Sequence, residues 1–331
     1  MREKTIKIEN AFLSPFAKKS EDTKGRRIKE EPCPMRTDFQ RDRDRIIHST
    51  SFRRLKNKTQ VFFSPEGDYY RTRLTHTIDV TQIARSIARA LSLNEDLAEA
   101  IALGHDLGHT PFGHSGERVL SKLNPNGFSH NEQSLRVVDF LEKNGKGLNL
   151  TQEVRDGIVN HKMSLKPSTL EGRSVSLSDW IAYINHDIDD AIRGGLIKES
   201  DLPSETVSVL GKTKRDRINT MIFSIYNASN NKNTVEMEPA VFEATKALRQ
   251  FMFEKVYFSQ TAMREEEKAE RMITGMYNYF KANPDKLPAF YKNNAEKDGI
   301  DTCISDYISS MSDRYAYYVY DSIFIPKSWG L

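Results

Sequence analysis

Between His105 and His114 the chain reads HDLGHTPFGH, which gathers three of its eight histidines and one aspartate. Adjacent His105 and Asp106 offer one imidazole and one carboxylate, a mixed nitrogen and oxygen set that suits a divalent ion. His109 and His114 follow at steps of four and five, too close together to be scattered surface residues. These residue types at this spacing point to a metal-dependent phosphohydrolase site. Half of such a site is missing from the stretch itself and must come from other elements.

The elements before it can supply part of that half. A helix expected over about 72–92 puts His76, Val80, Ile83, Ile87 and Leu91 on one stripe, stepping by three and four. A histidine that opens an apolar face points inward. Alone it would read as a core histidine; ahead of His105 and Asp106 it becomes a candidate ligand. Arg73, one turn earlier, lies on the same face. Asn94 is placed to cap the next helix, on which Leu97, Ile101 and His105 share a face. Gly108 and Pro111 stop that helix, and Glu117 comes one turn after His114 if a helix begins near Ser115.

Later elements can supply the rest. His130, in FSHNEQSLR, sits at a helix entry where free backbone N–H groups favour an anion, with a plain capping histidine as the alternative. His48 and His161 read as structural. A helix from about Ser176 to Arg193 carries an apolar stripe of Leu177, Ile181, Ile184 and Ile188. Beside it runs a polar stripe, Asp179, Tyr183 and Asp187, spanning roughly 12 Å at 1.5 Å per residue. An exposed acidic face is the bland alternative, and Trp180 and Tyr183 weigh against it. In KALRQFMFEKVYFSQ (246–260), Arg249 and Tyr257 fall on one helix face.

Composition bounds the rest. The 331 residues are 38% hydrophobic and 29% charged with a net charge of +3, which describes a globular protein with ample core and no demand for a nucleic-acid partner. No run of about 18 apolar residues exists, so no membrane span is expected. The opening MREKTIKIEN lacks the apolar core of a signal peptide. Cys33 and Cys303 are too few for a disulfide framework and too far apart for a paired zinc motif. The cytoplasm is therefore the expected compartment. KGRRIK (24–29) and GKTKRDR (211–217) read as surface, while Arg53 and Arg54 are open between surface and phosphate contacts. No run alternates with a period of two, and the fold is expected to be mainly α. Three regions are expected: 1–40, an irregular N-terminal arm with Pro15, Pro32 and Pro34; 41–200, a helical catalytic core; and 201–331, a helical region that packs on the core and completes the pocket. KTQVFF reads as a short extended run ending in a turn at Pro65, Gly67 and Asp68. Tyr315, Tyr317, Tyr318 and Tyr320 read first as core or subunit interface.

Four inward-facing ligands are thus available: His76, His105, Asp106 and a later aspartate, Asp179 or Asp187. A His₂Asp₂ set leaves positions open for water and substrate. It accepts Mn, Mg, Co, Ni, Fe or Zn, so the residues do not choose the metal. Displacement at phosphorus also needs protons moved, and His109 and His114 are of the residue type suited to moving them near neutral pH. Glu117 could orient the His114 ring.

The ordered pattern His76…His105-Asp106…Asp179, together with HSTSFRRLKNKTQVF, RTRLTHT, LGHDLGHTPFGHSGE, FSHNEQSLR, DWIAYINHDIDDAI, LRQFMFEKVY and DYISSMSDRYA, resembles the HD-domain superfamily. More closely, it is similar to the bacterial dGTPase-type deoxynucleoside triphosphate triphosphohydrolases, over about residues 41–320. The resemblance implies an HD-domain helical bundle with additional C-terminal helices, and hydrolysis of a dNTP at the α-phosphorus to a deoxynucleoside and inorganic triphosphate. It selects Asp179 as the fourth ligand, Tyr183 as a phosphate or sugar contact and Asp187 as a contact to the sugar 3′-hydroxyl. It puts Gln60 at the deoxyribose or base, and Arg73 on a phosphate. His109, His130 and His114 with Glu117 would surround the α-phosphate, His114 being the acid–base group. Arg249 would meet the distal phosphates, and Tyr257 the sugar, against a 2′-hydroxyl. It further implies a homo-oligomer, tetramer or hexamer, and a dNTP as activator. The large insertions of longer family members are absent, and single-stranded-DNA binding does not carry over. Ser310 stands where the family pattern has glycine before Met311. The alternatives are a broader HD-domain nucleotidase or phosphodiesterase and, further off, a nucleic-acid-binding protein with a structural metal, using the basic clusters at 24–29, 53–58 and 212–217.

Overall fold

Apolar residues recur at helical spacing through most of the chain, and the computed structural model, which describes residues 1–60, 71–257 and 260–327, is correspondingly built of helices. Among the described residues the only β pairing is two isolated bridges, Arg26 with Thr151 and Thr59 with Thr72. The first helices are α1 (Arg2–Phe12), α2 (Asp38–Ile47), α3 (Thr50–Arg54), α4 (Arg73–Ala90), α5 (Glu95–Gly104) and α6 (Gly113–Leu123). They are followed by α7 (His130–Arg136), α8 (Gln152–Val159), α9 (Leu170–Arg193), α10 (Ser204–Leu210), α11 (Lys214–Ser229) and α12 (Pro239–Met252). The series ends with α13 (Gln260–Ala282), α14 (Ala289–Asn293), α15 (Ala295–Asp298), α16 (Ile300–Ser309) and α17 (Asp313–Phe324). The turn expected at Pro65, Gly67 and Asp68 lies outside the described residues.

The helices that carry the site form the first of two apolar clusters. The predicted stripe of α4 is buried at Val80, Ile83, Ile87 and Leu91, against Leu97 and Ile101 of α5 and Leu177, Ile181, Ile184 and Ile188 of α9. Side-chain caps set where these helices begin: Thr72 accepts from the Thr75 N–H, Asn94 from Leu97 and Thr169 from Gly172, each satisfying a donor that the first turn leaves without a partner. The second cluster joins Phe112 and α6 to α13, α16 and α17 through Leu120, Ile273, Met276, Ile304, Ile308 and Val319. After α6 the two clusters part between Val256 and Ala269, since α11 and α12 pack with the first through Met221, Ile225 and Leu248. The division at residue 200 remains a proposal about folding units.

The expected irregular arm contains α1 instead, an 11-residue helix with no continuous apolar stripe. Its anchor is polar. Buried Glu9 accepts from Ser20 through both its N–H and its hydroxyl, at 2.7 Å each, and Arg2 pairs with Asp38 at 2.6 Å. Hydrophobic periodicity cannot reveal a helix fastened this way. The tyrosines of α17 also divide: Tyr320 packs on the second cluster, while Tyr315, Tyr317 and Tyr318 are exposed in the isolated chain, so they are not core.

Candidate active site

His105 ends α5 with its ring fixed. The Nδ1–H donates to the Ala102 carbonyl at 2.6 Å, leaving Nε2 as the bare nitrogen, an arrangement common in metal-ligating histidines. That Nε2 is fully buried without a hydrogen bond, 3.6 Å from Asp106 Oδ2 and 3.8 Å from Asp179 Oδ1. His76, entering from α4, puts Nε2 3.0 Å from Asp179 Oδ1. Ligand atoms of His76, His105 and Asp106 lie within 4.8 Å of one another, and Asp179 of α9 closes the group from the opposite side. A buried nitrogen lone pair aimed between two carboxylates is costly unless something positive meets it. The four residues therefore fit a divalent cation.

The charges of the cluster suit one another. Burial would raise the Asp106 carboxyl, but His105, Arg73, His109 and His130 outweigh burial and hold it well below the usual range. Asp179 is likewise held at about 2, burial being overcome chiefly by the His76 hydrogen bond, with His105 beside it. Arg73 is almost wholly buried; it donates to Asp106 Oδ2 at 2.6 Å and to the Gln60 carbonyl at 3.1 Å. Its guanidinium is engaged with Asp106 rather than presented to a phosphate.

The turn after Asp106 is shaped by two glycines. At Gly108 a Cβ would strike the Ser134 nitrogen and Gln133 of α7, so the loop can lie flat on α7 only without a side chain. Phe112 and Gly113 are consecutive left-handed residues, with φ of 61° and 56°. That conformation costs an ordinary L-residue about 1–2 kcal/mol. Here the Phe112 ring is buried in the second cluster, 5.2 Å from Tyr317, and its N–H donates to Asp313 Oδ1 at 3.0 Å. This kink starts α6 and brings His114 and Glu117 beside the metal cluster.

Glu117 is the hub of the histidines there. Both its oxygens lie 2.9 Å from His130 Nδ1, one accepts the His130 backbone N–H at 3.0 Å, and Oε2 lies 3.5 Å from His114 Nδ1. Burial opposes its ionisation, but the hydrogen bonds from His114 and His130 pull the carboxyl far below its ordinary range. The His109 ring stacks on His130 at 4.5 Å and meets His114 at 5.4 Å. Burial, with Arg73 and His130 adding to it, depresses His109 strongly, so it stays neutral. The His114 side chain is 64% exposed and faces the open side.

His161, read from sequence as structural, belongs to this cluster. Its Nδ1–H donates to Ile158 at 2.7 Å, and its Nε2 lies 3.2 Å from His130 Nε2. A lone histidine at the end of a short helix gives no periodic signal of such a meeting.

The polar stripe of α9 meets α12 and the turn after it. Arg249 Nε donates to the Tyr183 hydroxyl, and the Tyr257 hydroxyl donates to Asp187. Burial pushes Asp187 up to about 8 despite the Tyr257 hydrogen bond. Gln60 is buried with its side-chain oxygen unpartnered. Lys58 beside it is fully enclosed and donates to the carbonyls of His109 and Ser309, the latter at 2.7 Å. A further buried histidine, His186 of α9, lies 3.2 Å from Asp79 and edge-on to His76.

Comparison with known proteins places this geometry. Residues 73–184 match the HD domain and residues 235–322 the phosphohydrolase-associated domain. The chain is 58% identical over 329 residues to a protein of Caldanaerobacter subterraneus subsp. tengcongensis named deoxyguanosinetriphosphate triphosphohydrolase-like, covering 99% of this chain and 97% of that one. A protein of the same name from Clostridium tetani is 51% identical over 338 residues, with the same coverage. Among solved structures, a phosphohydrolase of Bacteroides thetaiotaomicron superposes with a TM-score of 0.55 at 17% identity, covering 84% of this chain and 68% of that chain, a likeness of fold.

Proposed function

The chain belongs to the deoxyguanosinetriphosphate triphosphohydrolase-like family of HD-domain phosphohydrolases, and from that membership we propose that it hydrolyses deoxynucleoside triphosphates to a deoxynucleoside and inorganic triphosphate. The observation that carries the reading is the composition of α9. Asp179 stands with the inferred ligands, while Tyr183 and Asp187, one and two turns on, are bonded to Arg249 and Tyr257. A metal end and a sugar end on one helix suit a substrate in which a phosphate chain joins a deoxyribose.

His76, His105, Asp106 and Asp179 would hold the ion, which supplies Lewis-acid polarisation of a phosphoryl oxygen and eases deprotonation of water. In the reaction, the oxygen of water bonds to the α-phosphorus, the bond to the 5′ oxygen breaks, and that oxygen takes up a proton. His114 is the group we assign to the proton transfers: it is exposed, and Glu117 approaches its Nδ1. His130 with Glu117, and neutral His109 stacked on it, would line the α-phosphate. Arg249 would meet the outer phosphates, and Arg73 could exchange Asp106 for a phosphate oxygen when the ion is present. Gln60 would face the sugar or base with its unpartnered oxygen. Asp187, kept protonated at neutral pH by burial, would hydrogen-bond the 3′-hydroxyl, with Tyr257 packed where a 2′-hydroxyl would fall. Family membership also supports a cytoplasmic homo-oligomer and an activating dNTP.

The test is a screen of the four dNTPs, singly and in pairs, and of the four deoxynucleoside monophosphates, across Mn²⁺, Mg²⁺, Co²⁺, Ni²⁺, Fe²⁺ and Zn²⁺, with triphosphate and orthophosphate measured separately. Inorganic triphosphate from at least one dNTP is expected. Orthophosphate from monophosphates, with no triphosphate, would replace the proposal by the broader nucleotidase reading.

A further inference from the structure

The C-terminal segment DYISSMSDRYA has no part in the reaction as described, yet it reaches into the site. Asp313, the first residue of α17, accepts from the Thr59 N–H at 2.9 Å and from the Thr59 hydroxyl through Oδ2, and from the Phe112 N–H at 3.0 Å through Oδ1. Lys58 makes the complementary fastening, from its ammonium to the carbonyls of His109 and Ser309. Adjacent residues 58 and 59 thus tie both ends of the 109–112 turn to both ends of the 309–313 segment.

We infer that Asp313 is a positioning residue for hydrolysis, holding the turn that carries His109 and His114 in register with the segment that carries Gln60. Three features make this more than a surface tie. Its carboxylate grips the N–H of Phe112, the one ordinary residue in the turn with a left-handed backbone. Hydrogen bonds to an ionised acceptor are roughly twice as strong as neutral ones, so the strongest bond available sits on the conformation most in need of it. The kink lies two residues before His114 and five before Glu117, so relaxation of φ at Phe112 would swing the start of α6 and both groups with it. The body of α6 keeps its own anchor in the second cluster through Val119 and Leu120. Loss of the carboxylate therefore loosens the Phe112 backbone while the ring and the helix stay packed.

The inference rests on the proposed hydrolase reading, and the experiment separates the two. Asp313→Asn in the full chain with Mn²⁺ keeps the shape but loses one acceptor oxygen. Displacement of an acid–base group by about 1 Å costs on the order of 10²-fold; the expected fall in kcat is tenfold or more, roughly, with KM for the dNTP and bound Mn²⁺ unchanged. Amide hydrogen exchange should quicken over 107–117 while α4 and α9 keep their protection. Thr59→Val, which removes only the hydroxyl donor, should give the same pattern more weakly, and it decides the matter if the Asn variant does not fold. Unchanged kcat and unchanged exchange overturn the inference. So does exchange that quickens equally in α4 and α9, which would mark Asp313 as a support of general stability. If the parent protein releases no triphosphate from any dNTP, the hydrolase reading falls, and the exchange pattern alone decides whether Asp313 holds the turn.

Discussion

At the scale of single residues, the proposed site separates groups assigned to bind from groups assigned to react. His76→Ala should lose bound divalent metal and turnover together; metal content equal to the parent's would remove His76 from the ligand set. Asp106 is a less clean target, because its removal leaves Arg73 buried beside it without its carboxylate. Breaking a buried pair typically costs about 3–5 kcal/mol, so Asp106→Ala should lower the melting temperature as well as activity, and Asp106→Asn is the better probe. His114→Ala should keep its metal and its fold, being exposed, and lose roughly 10²–10⁴-fold in kcat, the usual worth of a general acid or base. An unchanged kcat would release His114 from that role. Three of the proposed ligands, His76, His105 and Asp106, are legible in the sequence because ligand chemistry restricts residue types and the apolar stripes fix which way they face, whereas the choice of Asp179 over Asp187 comes from the family resemblance. His161 is not legible: its partners His130 and Ile158 come from separate stretches of chain, and nothing in its own neighbourhood marks the meeting.

At the scale of elements, legibility followed the physics that holds each element. Helices α4, α5 and α9 are held by apolar stripes, and stripes are visible in sequence. Helix α1 is held by Glu9 on Ser20 and by Arg2 on Asp38, and such polar fastenings depend on partners that the local sequence does not name. The turn between α5 and α6 is a third case, because Gly108 is needed for a close approach to α7 that only the folded chain creates. Gly108→Ala should push the turn off Ser134 at a cost of about 1–3 kcal/mol, as overpacking usually does. Urea unfolding measures that cost, and a variant of parental stability and activity would show that the approach has slack.

At the scale of the whole molecule, Glu171 of α9 joins three regions. Its Oε1 accepts from Lys18 N at 2.9 Å and Asn94 N at 3.0 Å, while Oε2 has no partner. Burial raises its carboxyl from the ordinary 4.5 to about 7, against the pull of those two N–H groups and of Lys18. A group raised on folding favours the native state fully below its unfolded pKa and loses that benefit as pH climbs to the folded one. Its contribution should therefore fall by about 3 kcal/mol between pH 4.5 and 7. Glu171→Gln should flatten that part of the stability–pH curve, and a variant that keeps the parental slope would place the titration elsewhere. Metal should act on the whole fold too. A ligand at a hundred times its Kd stabilises by about 2.7 kcal/mol, so Mn²⁺ should raise the melting temperature of the parent and not of His76→Ala. The bond from Asp313 to Phe112 also has a bearing on how the protein is made. Its two ends are 201 residues apart, and a ribosome adding about 5–20 residues per second needs roughly 10–40 s to pass from one to the other. Helix α9, with Asp179, is added part-way through that interval, but the turn between α5 and α6 has no carboxylate to close on until its end. The turn can therefore take its final form only once nearly the whole chain has been made.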